Sequence, residues 1–368
     1  MKVLVTGSNG FIGKNLTMKL KEDKSLIVYE CDKDLDKPTL ERYCKEAEFI
    51  YHLAGINRTD NEDEFMNGNY GFTLDLLDLL NKHNKRCPIM LASSIQASIF
   101  NAYGKSKKAA EEIVLAHAIN NKTNAFIYRL PNVFGKWSRP NYNSVVATFC
   151  HNIARNLPIT IDKPDKQLKL LYIDDLVNQL IHLPKYTSTN DYFYEVHPTY
   201  SVSLERISKL LYSFREYDMD PYIPDLDDEF TKKLYSTYIS YLPEDGLVHR
   251  LKTHSDDRGS FTEFIKTNKN GQISVNVIKP GITKGNHYHH TKLEKFLVVS
   301  GRGVVRLKDI ISGRTLEYYL NSENMEVIDI PPGYSHNIEN IDSSDLVFII
   351  WCNEIFDKDN PDTYTLNI

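Results

Sequence analysis

A chain of 368 residues exceeds what one hydrophobic core usually organises, so two cores are expected. With 41% hydrophobic and 25% charged residues the composition is that of a globular protein, and a net charge of −5 gives no general attraction for phosphate backbones, which excludes nucleic acid as an expected partner. The five cysteines (Cys31, Cys44, Cys87, Cys150 and Cys352) are scattered and form no CxxC, which points away from disulfides or a thiolate metal site and toward a reducing compartment. The apolar run at residues 3–5 is too short for a signal peptide, and no stretch approaches the roughly 18 apolar residues of a membrane span. A soluble, cytoplasmic protein without membrane contacts is expected.

In chain order, "KVLVTG", "LIVYECD", "EFIYHLAG", "PIMLASS" and "NAFIYRL" read as strands, with helical patterns such as residues 67–82 and 101–118 between them. That alternation predicts a parallel sheet covered by helices on both faces. Residues 143–241 turn mostly helical, and "SVSLERISKLLYSF" carries helical spacing behind an N-cap at Ser201 or Ser203, which reads as a smaller lobe. After "YLPEDG" come closely spaced strand candidates: "GQISVNVIK", "EKFLVVSG", "GVVRLKDI", "TLEYYL", "MEVIDIPPG" and "DLVFIIWCN". These predict an all-β barrel or jelly roll. The boundary falls within residues 242–248, giving domains 1–243 and 244–368.

Gly7, Gly10 and Gly13 follow the first strand at GxxGxxG spacing and open a helix, where small residues let the backbone approach a pyrophosphate favoured by the helix N-terminus. Tyr103 and Lys107, four apart, share a helix face. An ammonium beside a phenol stabilises the phenolate, which suits proton exchange with a carbonyl or alcohol oxygen, and Ser94 can add a hydrogen bond to that oxygen. Asp32, ending the second strand, can accept the ribose hydroxyls of NAD, whereas Lys33 can pair with the extra phosphate of NADP.

Over about the first 240 residues these features resemble the extended short-chain dehydrogenase/reductase family, through "TGSNGFIG", "IYHLAG", "NYGFTLDLL", "YGKSK", "YRLPNVFG" and "LLYIDDLV". The resemblance implies an α/β Rossmann-type doubly wound parallel sheet, a catalytic Ser94, Tyr103 and Lys107, and cofactor contacts from Gly7, Gly10, Phe11, Ile12, Gly13, Asp32, Lys33, Leu53, Ala54, Tyr103 and Lys107. It also implies that residues 129–132 line the cofactor and substrate pockets and that residues 143–158 close over a nucleotide-sugar. Ser94 stands only nine residues before Tyr103, a shorter connection than the family's usual one, with Ser93 and Ser98 as its alternatives.

In the second half, Gly281, His287, His289, Glu294 and Gly301 follow G-x5-H-x-H-x4-E-x6-G. On a strand, His287 and His289 face one way and His290 the other, so two imidazoles and a carboxylate can hold a divalent metal, with His336 of "PPGYSHNIEN" as fourth ligand. The pair of motifs resembles the cupin superfamily, although no glycine precedes Pro331 at the usual distance. The donor set tolerates zinc, iron, manganese and nickel, and zinc is the expectation. "DDRGSFTEF", "KGNHYHH" and "IPPGYSHNIEN" also resemble the nucleotide-activated 4-keto-6-deoxy-sugar epimerases, in which the histidine matching His287 is the base. The two resemblances compete for His287. If it is a ligand, Glu263, Tyr288, His290 and Lys295 are the alternative bases.

A reductase followed by a cupin resembles, over nearly the whole chain, the bifunctional nucleotide-sugar enzymes of capsular polysaccharide synthesis. That resemblance implies a UDP-2-acetamido-2,6-dideoxy-4-hexulose substrate, epimerised at C3 in the cupin and reduced at C4 with NADPH, and a homodimer. In the alternative reading the cupin only binds sugar or dimerises.

Overall fold

The computed structural model describes residues 1–185, 191–217 and 221–368. Two compact units emerge: residues 1–211 with 233–243, and residues 212–232 with 244–368.

In the first unit the strands are β1 (Lys2–Thr6), β2 (Ile27–Cys31), β3 (Phe49–His52), β4 (Ile89–Ser94), β5 (Ala125–Leu130), β6 (Asn132–Phe134), β7 (Gln167–Tyr172), β8 (Phe193–Tyr194) and β9 (Thr199–Ser203). The helices are α1 (Phe11–Glu22), α2 (Lys37–Glu46), α3 (Glu62–Phe65), α4 (Phe72–Lys82), α5 (Ala102–Asn121), α6 (Val145–Ile153), α7 (Ile173–Leu180), α8 (Leu204–Tyr217) and α9 (Glu229–Ile239), the last two running across the boundary between the units. The main sheet is parallel, in the order β2-β1-β3-β4-β5-β8. Alternation along its strands divides the apolar side chains between two cores, as period-2 geometry requires. Val3, Val5, Phe49, Tyr51, Met90, Phe126 and Tyr128 pack on α1 and α7. Leu4, Ile50, Ile89, Leu91, Ala125 and Ile127 pack on α2, α4 and α5. The strand order reverses at β1 and β3, so the crevice beyond their carboxyl ends is the natural place for a ligand.

The helix expected at residues 67–82 is α4 preceded by a π-helical turn, Met66–Gly71, which places the buried Asn69 beside α5. The lobe after residue 143 is less helical than its sequence predicts: β7 and β9 join the earlier β6 in a small sheet, and Ser201 lies within β9. Ser203 caps α8, its hydroxyl accepting the Arg206 N–H at 3.1 Å. Asn101 caps α5 through the Gly104 N–H at 2.6 Å.

The second unit carries β10 (Thr253–Asp256), β11 (Gly259–Thr267), β12 (Gly271–Ile278), β13 (Thr283–Tyr288), β14 (Glu294–Ser300), β15 (Arg302–Asp309), β16 (Thr315–Asn321), β17 (Val327–Ile330), β18 (Tyr334–Asn340), β19 (Leu346–Cys352) and β20 (Tyr364–Thr365). Two antiparallel sheets, β10-β11-β12-β19-β14-β17 and β16-β15-β18-β13-β20, face each other over a core of Ile278, Phe296, Val298, Val305, Leu307, Ile338, Leu346 and Phe348. This is the cupin-type jelly roll. Residues 212–232 group with this unit, although chain order assigned them to the first. The Ile223 N–H bonds to the Lys266 carbonyl at 2.8 Å, the Lys266 N–H bonds to the Pro221 carbonyl at 2.6 Å, and Lys269 pairs with Asp225 and Asp227.

Candidate active sites

At the first site, Gly7 has φ +68°, and a Cβ on Gly13 would stand 2.0 Å from the Gly7 carbonyl oxygen, so only glycine lets α1 start this close to β1. Gly10 is the N-cap of α1 and offers no side-chain cap, leaving first-turn N–H groups for an anion. Phe11 and Ile12 open the helix, while Leu53 and Ala54 leave β3 against the same loop, the Ala54 backbone lying 2.8 Å from where a Gly7 Cβ would be. Asp32 closes the cradle. Its carboxylate accepts the Asn9 N–H at 2.9 Å and the Lys33 N–H at 2.8 Å, while the Lys33 side chain is exposed. A dinucleotide fits this glycine cradle.

Ser94 ends β4, and Tyr103 and Lys107 lie one turn apart on α5. Burial raises the Tyr103 phenol, and a hydrogen bond with Ser94 works in the opposite direction. Of the three serines, Ser94 is the one beside the phenol. The Ser93 hydroxyl instead donates to the buried Glu111 at 2.5 Å, and Ser98 lies 3.4 Å from Arg129. The expected lowering of the phenol by Lys107 is not realised. The ammonium lies 6.0 Å from the Tyr103 ring centroid and donates to the Ala92 carbonyl at 3.1 Å. Burial lowers Lys107 to about 8, against the pull of Glu111. Burial thus favours the neutral, proton-donating form of the phenol.

Glu111 extends the four-residue spacing of Tyr103 and Lys107, a signal the sequence contained but our reading left unused. It ion-pairs with Arg129 at 2.6 Å. Asn69, also unassigned, bridges Ile56 and Ser106 at 2.9 Å each. A cleft of about 330 Å³ is lined by residues including Ile95, Ser98, Arg129, Pro131, Phe193 and Val196.

The second site lies inside the jelly roll. The ligand atoms of His287, His289, Glu294 and His336 all fall within 4.8 Å of one another. A bulge brings this about. Pairing of β13 with β18 runs Lys284 to Ile338 and Gly285 to Asn337, then skips Asn286, so that His287 faces His336. Without the bulge Asn286 would pair with His336, and strand alternation would turn His287 outward. Gly285 (φ +107°) and Asn286 (φ +62°) supply the conformations the bulge needs.

Glu294 Oε2 stands 3.1 Å from His336 Nε2 and 3.8 Å from His289 Nε2, yet all three atoms are buried without a hydrogen-bond partner among the described residues. Buried polar atoms are rarely left so, and converging orphans fit a cation at their centre. Burial, reinforced by His336 and His289, pushes His287 down to about 4. For Glu294, burial opposes ionisation, but the adjacent His289 and His336 imidazoles prevail and hold the carboxyl at about 2. A neutral imidazole and an ionised carboxylate are the ligating forms.

The alternative bases separate by register. Tyr288 and His290 stack around Tyr364 on the outer face, and Lys295 pairs with Asp329. Glu263 pairs in register with the buried Ser274, on the face of β12 that also carries Ile278, and its carboxylate bonds Lys266 at 2.7 Å. Of the four, Glu263 shares the inner wall with the cage.

A glycine-cradled doubly wound sheet carrying a Ser/Tyr/Lys constellation, followed by a jelly roll with a three-histidine, one-glutamate cage, is the layout of a dehydrogenase/reductase-type unit with an added cupin. Consistent with that class, the chain belongs to the NAD dependent epimerase/dehydratase family, which residues 3–191 match, and residues 254–364 match the polysaccharide biosynthesis C-terminal domain. Over its whole length it is 41% identical to the UDP-2-acetamido-2,6-beta-L-arabino-hexul-4-ose reductase of Pseudomonas aeruginosa, covering 99% of that protein. It superimposes on the capsular polysaccharide assembling protein CapF of Staphylococcus aureus with a TM-score of 0.93 and 45% identity, each chain covered in full. The UDP-glucose 4-epimerase of Thermotoga maritima, 20% identical with a TM-score of 0.56 over 66% of this chain and 98% of its own, shares the fold. Among the described residues, no helix is long and apolar enough to cross a membrane.

Proposed function

We propose that the chain is a bifunctional enzyme of capsular polysaccharide synthesis. Its barrel inverts C3 of UDP-2-acetamido-2,6-dideoxy-L-arabino-4-hexulose, and its α/β unit reduces C4 to give UDP-2-acetamido-2,6-dideoxy-L-talose. The observation that carries this reading is the presence of two separate reactive constellations in one chain that is 41% identical, end to end, to a reductase of that 4-hexulose. Chemistry orders the steps. The C3 proton is acidic only while C4 is a ketone, because the electrons left behind must delocalise onto its oxygen, so inversion precedes reduction.

Bound NADPH supplies the hydride. Tyr103 gives its proton to the C4 oxygen, Ser94 holds that oxygen by a hydrogen bond, and Lys107 maintains positive charge beneath the pair. The exposed Lys33 beside Asp32 can meet a 2′-phosphate, and we take the cofactor to be NADPH. His287, His289, Glu294 and His336 would hold a divalent metal, zinc in our reading, which supplies Lewis acidity. With His287 so engaged, proton removal at C3 falls to Glu263, and loss of C3 exchange in Glu263→Gln tests it. The five free, buried cysteines suit a reducing cytoplasm, and we take the working form to be a homodimer.

Supplying the ketosugar and following NADPH oxidation tests the reductase assignment. Tyr103→Phe is expected to lower turnover about 10²–10⁴-fold. Undiminished turnover in that variant would remove Tyr103 from the chemistry.

A further inference from the structure

Asp362 is 70 to 73 residues from the loop that carries His289, yet its hydrogen bonds converge there. Its backbone carbonyl accepts from His289 Nδ1 at 2.5 Å. Its carboxylate accepts the N–H groups of His290, Thr291 and Lys292 at 3.0, 2.9 and 3.1 Å, and the Thr291 hydroxyl at 3.0 Å. With φ +40°, Asp362 lies in the left-handed region, which Asp and Asn tolerate better than most residues. Because a carbonyl can only accept, Nδ1 of His289 carries the proton. In the neutral ring its Nε2, buried and without a hydrogen-bond partner among the described residues, presents a lone pair to the cage.

Further contacts bind the same tail around the cage. Lys292 donates to the Pro361 carbonyl at 2.5 Å, and the Leu293 N–H bonds to the Asn353 side chain at 2.9 Å. The Leu366 N–H bonds to the carbonyl of the bulge residue Asn286 at 2.9 Å, and the Ser335 hydroxyl donates to the Leu366 carbonyl at 2.5 Å. Residues 353–366 thus touch the neighbours of each histidine ligand.

We infer that Asp362 is a positioning residue for the cage, and that docking of the tail and binding of the divalent metal are coupled. The inference rests on the metal reading above. The tail holds His289 in one orientation and tautomer, so the metal meets a preformed ligand. Coupling between binding events is reciprocal, so the metal must in turn tighten the tail.

Zn²⁺ affinity of the metal-stripped full-length chain, read by competition with a chromophoric chelator, is expected to fall about 10–100-fold in Asp362→Ala. It is expected to stay at the wild-type value in Asp357→Ala, which removes a tail carboxylate bonded only to the nearby Asp359 N–H among the contacts seen. A second measurement needs no variant. Hydrogen exchange at the amides of residues 290–292 and 366 of the wild type should accelerate when the metal is chelated and slow again when Zn²⁺ returns. A wild type that takes up no Zn²⁺ overturns the cage itself. A wild type that binds Zn²⁺, with Asp362→Ala binding equally well or with exchange indifferent to the metal, overturns the coupling alone.

Discussion

Ser93 and Ser94 are neighbours on one strand, so their side chains leave it in opposite directions and only one can serve Tyr103. The sequence offered both, and the buried Glu111 decides between them by engaging Ser93. Tyr103 and Lys107 were legible because helical spacing puts them on one face whatever the surroundings. The direction of the ammonium was not, since it depends on the Ala92 carbonyl across the sheet. One consequence is a pH dependence. Burial lowers Lys107 to about 8, so the positive charge beneath the phenol is present below that pH and lost as pH rises through it. The kcat/KM for NADPH should therefore decline above about pH 8. Lys107→Arg, whose side chain stays protonated, should move that limb to higher pH even if its overall rate is lower. A limb left in place by that substitution would assign it to another group.

Among elements, the β13 bulge matters most. Strand alternation correctly placed His287 and His289 on one face and His290 on the other, but it could not show which face was inward. The answer depends on one skipped residue, Asn286, and on the Gly285 conformation. A Cβ on Gly285 would lie 2.7 Å from the His336 carbonyl oxygen at a φ that side chains avoid. Gly285→Ala should cost about 1–3 kcal/mol through strain and move His287 out of line with its partners. In calorimetry, Zn²⁺ should raise the unfolding temperature of the wild type clearly and of Gly285→Ala little. Equal shifts would show that the bulge is dispensable. The small sheet of β6, β7 and β9 escaped the sequence reading because its short strands are interspersed with helices and lack a long alternating run.

For the whole molecule, the change in texture after "YLPEDG" announced two units; the first builds a core on each face of its sheet and the second a core between its two sheets, each from the side chains that period-2 patterning selects. The grouping of residues 212–232 was not legible, because the Lys266 backbone and Lys269 that receive them lie more than 40 residues away in the chain. Two units with two constellations imply two separable activities. Tyr103→Phe should cripple reduction and spare C3 exchange, whereas His336→Ala should lose bound metal and leave the reductase cradle intact. The most direct measurement follows the C3 hydrogen of the ketosugar by NMR in deuterated water without NADPH. Deuterium should enter C3 with the wild type and equally with Tyr103→Phe. A C3 position that keeps its proton throughout would contradict an epimerising barrel and leave the chain a reductase alone.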